Sequence, residues 1–322
     1  MRSVLRRFAA GVAVGLLTAA CTSERATDAP GSVVVGSSTS TTASTVALPA
    51  PSSTTSLAPL GSPEIVAEAL IAAERGIRDV SLSADETARW GRAEQRAYRA
   101  LSQHPEWDDA VRGKLPDDVR APFDLNVAAR RAVTDNALSH PLSDPLPTLP
   151  AWTIAAPLPV DVLLSYYKET EAATRVPWVY LAAINMVETR FGRIVGPSSA
   201  GAEGPMQFLP ATWASCCHGN VLDPHDAIMG AAVYLVSKGA PTDMRRALLG
   251  YNPNDGYVGS VEAYAKNLLA DERALFGYHA WEVYVGSAAG TVRLPVGYYA
   301  SQPIDAASYL VAHPDDLAPV DD

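Results

Sequence analysis

Pro177-Trp178-Val179-Tyr180-Leu181-Ala182-Ala183-Ile184-Asn185-Met186-Val187-Glu188-Thr189-Arg190-Phe191 is an apolar run with a single carboxylate near its end. Pro177 suits the first turn of a helix, where its missing N–H goes unneeded. The pattern predicts a helix to about Arg190. Leu181, Ile184, Glu188 and Phe191 recur at helical spacing and share one face. Three of the four are apolar, so this face is expected to be buried with a carboxyl on it. Burial without a cation disfavours the carboxylate and raises its pKa. A carboxyl kept neutral in an apolar cleft is what a general acid requires. The plainer alternative is a glutamate hydrogen-bonded at a helix C-terminus, or paired with Arg190 or Arg193.

The residues downstream add a second pattern. Ser198-Ser199-Ala200-Gly201-Ala202-Glu203-Gly204-Pro205-Met206-Gln207-Phe208-Leu209-Pro210 is followed by Thr212-Trp213. Gly201 and Gly204 suit tight backbone turns beside a ligand, and Gln207 offers a donor and an acceptor. Leu249-Gly250-Tyr251-Asn252 ends a helix expected to begin near Thr242 or Asp243. An aromatic ring beside an amide suits a sugar, whose ring faces stack while its hydroxyls hydrogen-bond.

On these residues the chain resembles the lytic transglycosylase family, over about residues 160–270. Glu188 matches that family's catalytic acid, and Ser198, Gly204, Met206 and Gln207 match its glycine-rich loop. Tyr251-Asn252 matches its aromatic–Asn motif. The Gly-Pro-Met-Gln-Phe-Leu-Pro form with Thr212-Trp213 is most similar to actinobacterial and B-type members. Thr189 stands where the family usually has Ser, and Gly250 where it usually has Ala. The resemblance implies a mainly α fold, with a lysozyme-like helical catalytic domain. It implies a lyase acting on peptidoglycan glycan strands without a cofactor. Glu188 would be catalytic, with Ser198, Met206, Gln207, Tyr251 and Asn252 binding substrate. The product it implies is 1,6-anhydroMurNAc.

Working outward, Asp223 reads as an N-cap, Pro224 as N1, Asp226 as an N3 acid and Gly239 as a C-terminal cap. Trp213, Ile228 and Leu235 are expected in the core. Cys216 and Cys217 are adjacent and lack Cys-x-x-Cys spacing, so no metal site is expected, although His218 and His225 lie near. A vicinal disulfide is open to them in an oxidising compartment. Residues 61–140 read as helices, with Ile65, Ala69, Ile71 and Ala72 as the apolar positions of the first and Trp90, Ala97, Tyr98 and Leu101 of the second. Residues 141–159, rich in proline, read as a semi-rigid connector. The catalytic region spans 160–275, and residues 276–300 alternate as a β-hairpin. The acidic tail, 301–322, is expected to fray.

At the N-terminus Arg2, Arg6 and Arg7 precede a short apolar run and then Thr18-Ala19-Ala20-Cys21. Basic, apolar and small-residue zones in that order read as a signal peptide over 1–20. The small residues ending at Cys21 resemble a bacterial lipobox, which implies a lipid on Cys21 and a place on the outer face of the cytoplasmic membrane. An ordinary signal peptide is the alternative. Residues 21–60, dominated by Ser, Thr, Ala, Val and Pro, read as a disordered tether. The 322-residue chain has 25 basic and 35 acidic residues, a net charge of −10. Removing residues 1–20 takes three arginines and no acid, leaving −13. That balance argues against a nucleic-acid partner. Two other functions remain open on these residues: a hydrolytic muramidase, using a second acid among Asp161, Glu169, Glu171, Glu203 and Asp255, and a non-catalytic wall-binding lipoprotein.

Overall fold

The computed structural model describes residues 59–139 and 145–319. The expected signal peptide, Cys21 and the tether as far as residue 58 lie outside them. The helices are α1 (Pro63–Arg78), α2 (Ala84–Gln103), α3 (Asp108–Arg112), α4 (Asp117–Ser139), α5 (Val160–Thr174), α6 (Trp178–Thr189), α7 (Pro210–Cys216), α8 (Pro224–Lys238), α9 (Met244–Tyr251), α10 (Asp255–Ala270), α11 (Ala274–His279) and α12 (Ala306–Ala312). Three short antiparallel pairs complete the fold. They are β1 (Thr148–Leu149) with β6 (Ile304–Asp305), β2 (Thr153–Ile154) with β3 (Ile194–Val195), and β4 (Val283–Ser287) with β5 (Gly290–Leu294). The protein is mainly α with a lysozyme-like helical fold.

Local chemistry explains where the helices start. Ser83 caps α2 and Glu86 returns the bond to complete a capping box. The Asp223 carboxylate accepts from the backbone of His225 and Asp226, Pro224 follows as N1, and Gly239 closes α8. Asp243 caps α9, and Asn254 caps α10 by accepting from Tyr257 N at 2.8 Å.

Packing then joins these helices around one core. Helix α10 lies along both α4 and α6, α11 lies on α2, and α5 packs on α6 and α8. Leu70, Leu101 and Phe123 of the N-terminal helices share a cluster with Leu181, Ile184, Leu235 and Val261. Helices α2 and α11 approach closely where Gly91 lies on Gly277. A Cβ on Gly91 would come within 2.4 Å of the Gly277 carbonyl oxygen. A buried polar network crosses the same seam. The Glu94 carboxyl accepts from Trp281 Nε1 at 3.0 Å, and Tyr278 donates to Asn126 at 2.6 Å. Burial, reinforced by the neighbouring Glu74, pushes the Glu94 carboxyl well above the usual range, so it is held neutral.

A second, smaller core gathers Leu149, Trp152, Ile154, Ile194, Val292, Leu294 and Tyr298 under the strand pairs. The Pro-rich connector is therefore built into the fold from Thr148 onward. Its two short strands pair with β6 and β3, and Trp152 is buried between them. The tail departs from its expected fraying in the same way. Asp316 is buried and accepts from Arg293 at 2.8 Å and Tyr309 at 2.7 Å, and Ala318 N reaches Thr291 O. Asp321 and Asp322 lie outside the described residues.

Three further expectations change. Helix α1 buries Val66, Leu70, Ala73 and Ile77, while Ile65 is exposed and Ala69 and Ile71 are only partly covered. Gly76 on that face leaves room for the Trp90 ring of α2, 2.2 Å from where a Cβ would lie. Helix α6 ends at Thr189. Arg190 and Phe191 take left-handed backbone, so Phe191 is buried from a turn and not from the helix face. Trp213 is half-buried and packs against the core without joining it. Ile228 and Leu235 are fully buried on α8. Leu235→Ala should lower stability by about 2–5 kcal/mol through lost transfer energy and the cavity left behind. A shift of the urea midpoint at unchanged m-value measures it.

Candidate functional site

The site is built on the last turn of α6. Leu181 and Ile184 stand two turns and one turn before Glu188 and are fully buried. Glu188 is surrounded by protein, yet part of its side chain still meets solvent. Burial pushes its carboxyl up to about 7. Arg190 turns away: its guanidinium donates to Met186 O at 3.0 Å and lies over the Trp281 ring. Arg193 donates to His279 O at 2.9 Å. Neither arginine neutralises Glu188, so desolvation governs its pKa.

Next to this helix the glycine-rich loop closes as a tight hairpin. Glu203 and Phe208 exchange backbone hydrogen bonds at 2.8 and 2.9 Å. Between them Gly204 has φ +74°, and a Cβ there would come within 2.0 Å of the Val221 carbonyl oxygen. Only glycine meets both demands. Gln207 also takes left-handed backbone and donates its side-chain amide to Gly204 O at 3.0 Å. Two α6 side chains fasten this hairpin to the helix that carries Glu188. Asn185 Nδ2 and Thr189 Oγ1 both donate to Pro205 O, at 2.8 and 2.7 Å. Tyr167 on α5 fixes Asn185 in turn, donating to its Oδ1 at 2.6 Å. Thr189 Oγ1 also accepts from Gly192 N at 2.9 Å, so the threonine uses the hydroxyl that it shares with serine.

The far wall comes from α9. Tyr251 donates its hydroxyl to Met206 O at 2.6 Å, and its ring meets Phe208 and Tyr234 edge-on. Burial, with Glu188 nearby, pushes the Tyr251 hydroxyl well above its ordinary pKa. Gly250 stands where the family usually has Ala because Lys238 crosses there, its Cγ 2.7 Å from where a Cβ would lie. Asn252 closes α9 and is half-exposed.

The expected site residues thus fall into two groups. Glu188, Gln207, Tyr251 and Asn252 all keep partial exposure on elements that meet at the hairpin. Ser198 is partly exposed as well, whereas the Met206 side chain is fully buried in the core. Ser198 Oγ accepts from Ala200 N and Ala202 N at 3.2 and 3.0 Å, which shapes the loop entry. Tyr257 was not foreseen. Its hydroxyl is buried beside Glu188 and draws that carboxyl's pKa back down, although its oxygen makes no hydrogen bond of full geometry. The signal was an aromatic five residues after Asn252, in the first turn of a helix capped by Asn254.

Residues 165–273 match the family model described as "Transglycosylase SLT domain". All of the loop, Glu188 and the Tyr251–Tyr257 wall fall inside that segment, about a third of the chain. A domain of this family points to lytic transglycosylases acting on peptidoglycan. No curated protein and no solved structure matches the chain. Among the described residues no group of three or more His, Cys, Asp or Glu side chains could hold a metal ion.

Since the Tyr257 hydroxyl favours the ionised form of Glu188, removing it should raise that carboxyl above about 7. Tyr257→Phe should therefore move the Glu188 titration to higher pH. Carbon-13 NMR of the labelled glutamate carboxyls, with Glu188→Gln to assign the signal, reads the shift directly.

Proposed function

We propose that this protein is a peptidoglycan lytic transglycosylase that remodels the cell wall, with Glu188 as its one acid and base. It would cleave the β-1,4 bond between MurNAc and GlcNAc and leave 1,6-anhydroMurNAc ends. The observation that carries this reading is the Glu188 carboxyl itself. It is held half-neutral near pH 7 by desolvation, partly open to solvent, and faced by a hairpin and an aromatic wall suited to sugar. A group with its pKa near the working pH can give a proton and take one back.

In the first step neutral Glu188 donates its proton to the O4 leaving oxygen as the C1–O4 bond breaks. Positive charge grows at C1, where the substrate's own 2-acetamido oxygen can stabilise it. In the second step the Glu188 carboxylate takes the proton of the C6 hydroxyl, and O6 closes on C1. The acid is restored and no water is consumed. Gln207, Tyr251 and Asn252 would orient the sugar, and Tyr257 would hold the carboxyl in place. This single-carboxyl scheme suits the disposition of the other acids. Glu169 pairs with His225 and Asp255 with Arg245, Asp161 and Glu203 face solvent, and Glu171 lies in the last turn of α5.

Glu188→Gln preserves shape but cannot exchange the proton, so it should fold normally and lose about 10²–10⁴-fold in rate or more. Wild-type kcat should fall as pH rises above about 7, where the general acid is lost. Mass spectrometry of digested peptidoglycan reads both. Anhydro ends support the reading, reducing ends point to hydrolysis, and a fully active Glu188→Gln overturns it.

We also propose that Cys21 carries a lipid that holds the mature protein on the outer face of the cytoplasmic membrane, with residues 21–60 as the tether. The Thr18-Ala19-Ala20-Cys21 site supports this. Among the described residues no helix is long and apolar enough to cross a membrane. Cys21→Ala should release the protein from the membrane fraction; unchanged partitioning on cell fractionation would count against the anchor.

A further inference from the structure

Helix α7 ends in two adjacent cysteines bonded to each other. The two sulfurs are not equivalent. Cys217 is buried, whereas Cys216 is half-exposed. Sγ of Cys217 lies 3.5 Å from the carbonyl oxygen of Gly230 on α8. As half of a disulfide this sulfur has no proton to donate. Reduced, it would carry an S–H with an acceptor already in place. The surroundings therefore suit both redox states of the pair.

From the cysteines a run of packed rings leads to the substrate hairpin. Position 230 is glycine because the Trp213 ring occupies the space. A Cβ there would lie 2.5 Å from that ring and 3.4 Å from the Cβ of Cys217. Trp213, one turn before the cysteines, accepts from Cys217 N through its carbonyl and meets Phe208 edge-on at 5.1 Å. Phe208 closes the hairpin and meets Tyr251 at 5.8 Å, and Tyr251 holds Met206 O. Each contact in this run is direct, so a displacement of α7 has a physical route to Gln207.

We propose that the Cys216–Cys217 disulfide is a redox-sensitive brace. It holds the last turn of α7 and, through Trp213 and Phe208, keeps the Gly204–Gln207 turn in its glycan-binding position, so that reduction weakens substrate binding. This rests on the reading of that turn as part of the glycan site. The reductant is a dithiol. Its thiolate attacks the accessible Sγ of Cys216, the Cys216–Cys217 bond breaks, and Cys217 leaves with the electron pair and takes up a proton. The second thiol of the reductant then attacks the sulfur bound to Cys216. Cys216 is released as a thiol and the reductant departs as its own disulfide. Two electrons and two protons pass to the protein.

The test follows amide hydrogen exchange of the whole chain, with and without dithiothreitol, at Gln207 and Phe208. Their N–H groups bond to Gly204 O and Glu203 O in the closed hairpin. Reduction should speed exchange there roughly tenfold, raise KM several-fold with kcat little changed, and reverse on reoxidation. Cys216→Ser/Cys217→Ser should behave as the reduced protein with or without the reductant, although it keeps Cys21. Unchanged exchange on reduction overturns the proposal. So does a double variant that still responds to dithiothreitol, or faster exchange with KM unmoved. The exchange readout needs no catalysis, so failure of the brace and failure of the transglycosylase reading are seen separately.

Discussion

One acceptor atom organises the site: the carbonyl oxygen of Pro205. It takes hydrogen bonds from Asn185 and Thr189, both on the helix that bears Glu188, and so joins the hairpin to that helix end. Left unpaired in that buried position, such an oxygen would cost about 1–3 kcal/mol. Paired twice, it fixes the hairpin's distance from the carboxyl. Proline suits the position, having no N–H of its own to satisfy there. The neighbouring Met206 carbonyl is held from the opposite wall by Tyr251. With both carbonyls pinned, the left-handed backbone of Gln207 is imposed by its surroundings.

The second demand on the site is a conflict between burial and access. A carboxyl must lose water to stay neutral, yet must remain open to a polymer. The end of α6 reconciles the two. Leu181 and Ile184 lie beneath the carboxyl and are sealed in the core. After Thr189 the chain leaves in two consecutive left-handed residues, so no further helical turn covers Glu188. Phe191 is then buried by the turn. Tyr257 works against the desolvation and keeps the pKa near 7 instead of higher. The value of this carboxyl is thus set by two opposed local effects, and no distant charge is needed.

Much of this was legible in the chain. The caps of α8 follow from Asp223-Pro224 and Gly239, because capping is decided within a few residues. The period of the α6 run placed Glu188 over an apolar floor, and the two glycines marked the hairpin. What escaped reading depends on partners far along the chain. Asp316 looked like part of a loose acidic tail, but Arg293 and Tyr309 hold it. Ile65 and Ile71 looked like a buried face, but α2 packs on the face that carries Gly76. Tyr257 reads locally as one more aromatic on an amphipathic helix. Only the meeting of α10 with α6 brings it to Glu188.

The position of α10 has a consequence for the modularity of the chain. This helix belongs to the family-matched segment, yet it lies against α4, which does not. A Cβ on Gly259 would be 3.0 Å from the Cβ of Ala132, so the two helices lie close at that point. Beyond the matched segment, Trp281 and Tyr278 bond to Glu94 and Asn126 of the N-terminal helices. The packing therefore crosses the boundary of the matched segment. Cut free of residues 59–139, it would present the α4-facing side of α10 to water. The N-terminal helices and the helices that carry Glu188, Tyr251 and Tyr257 share one hydrophobic core, so a cut at the matched boundary would divide it.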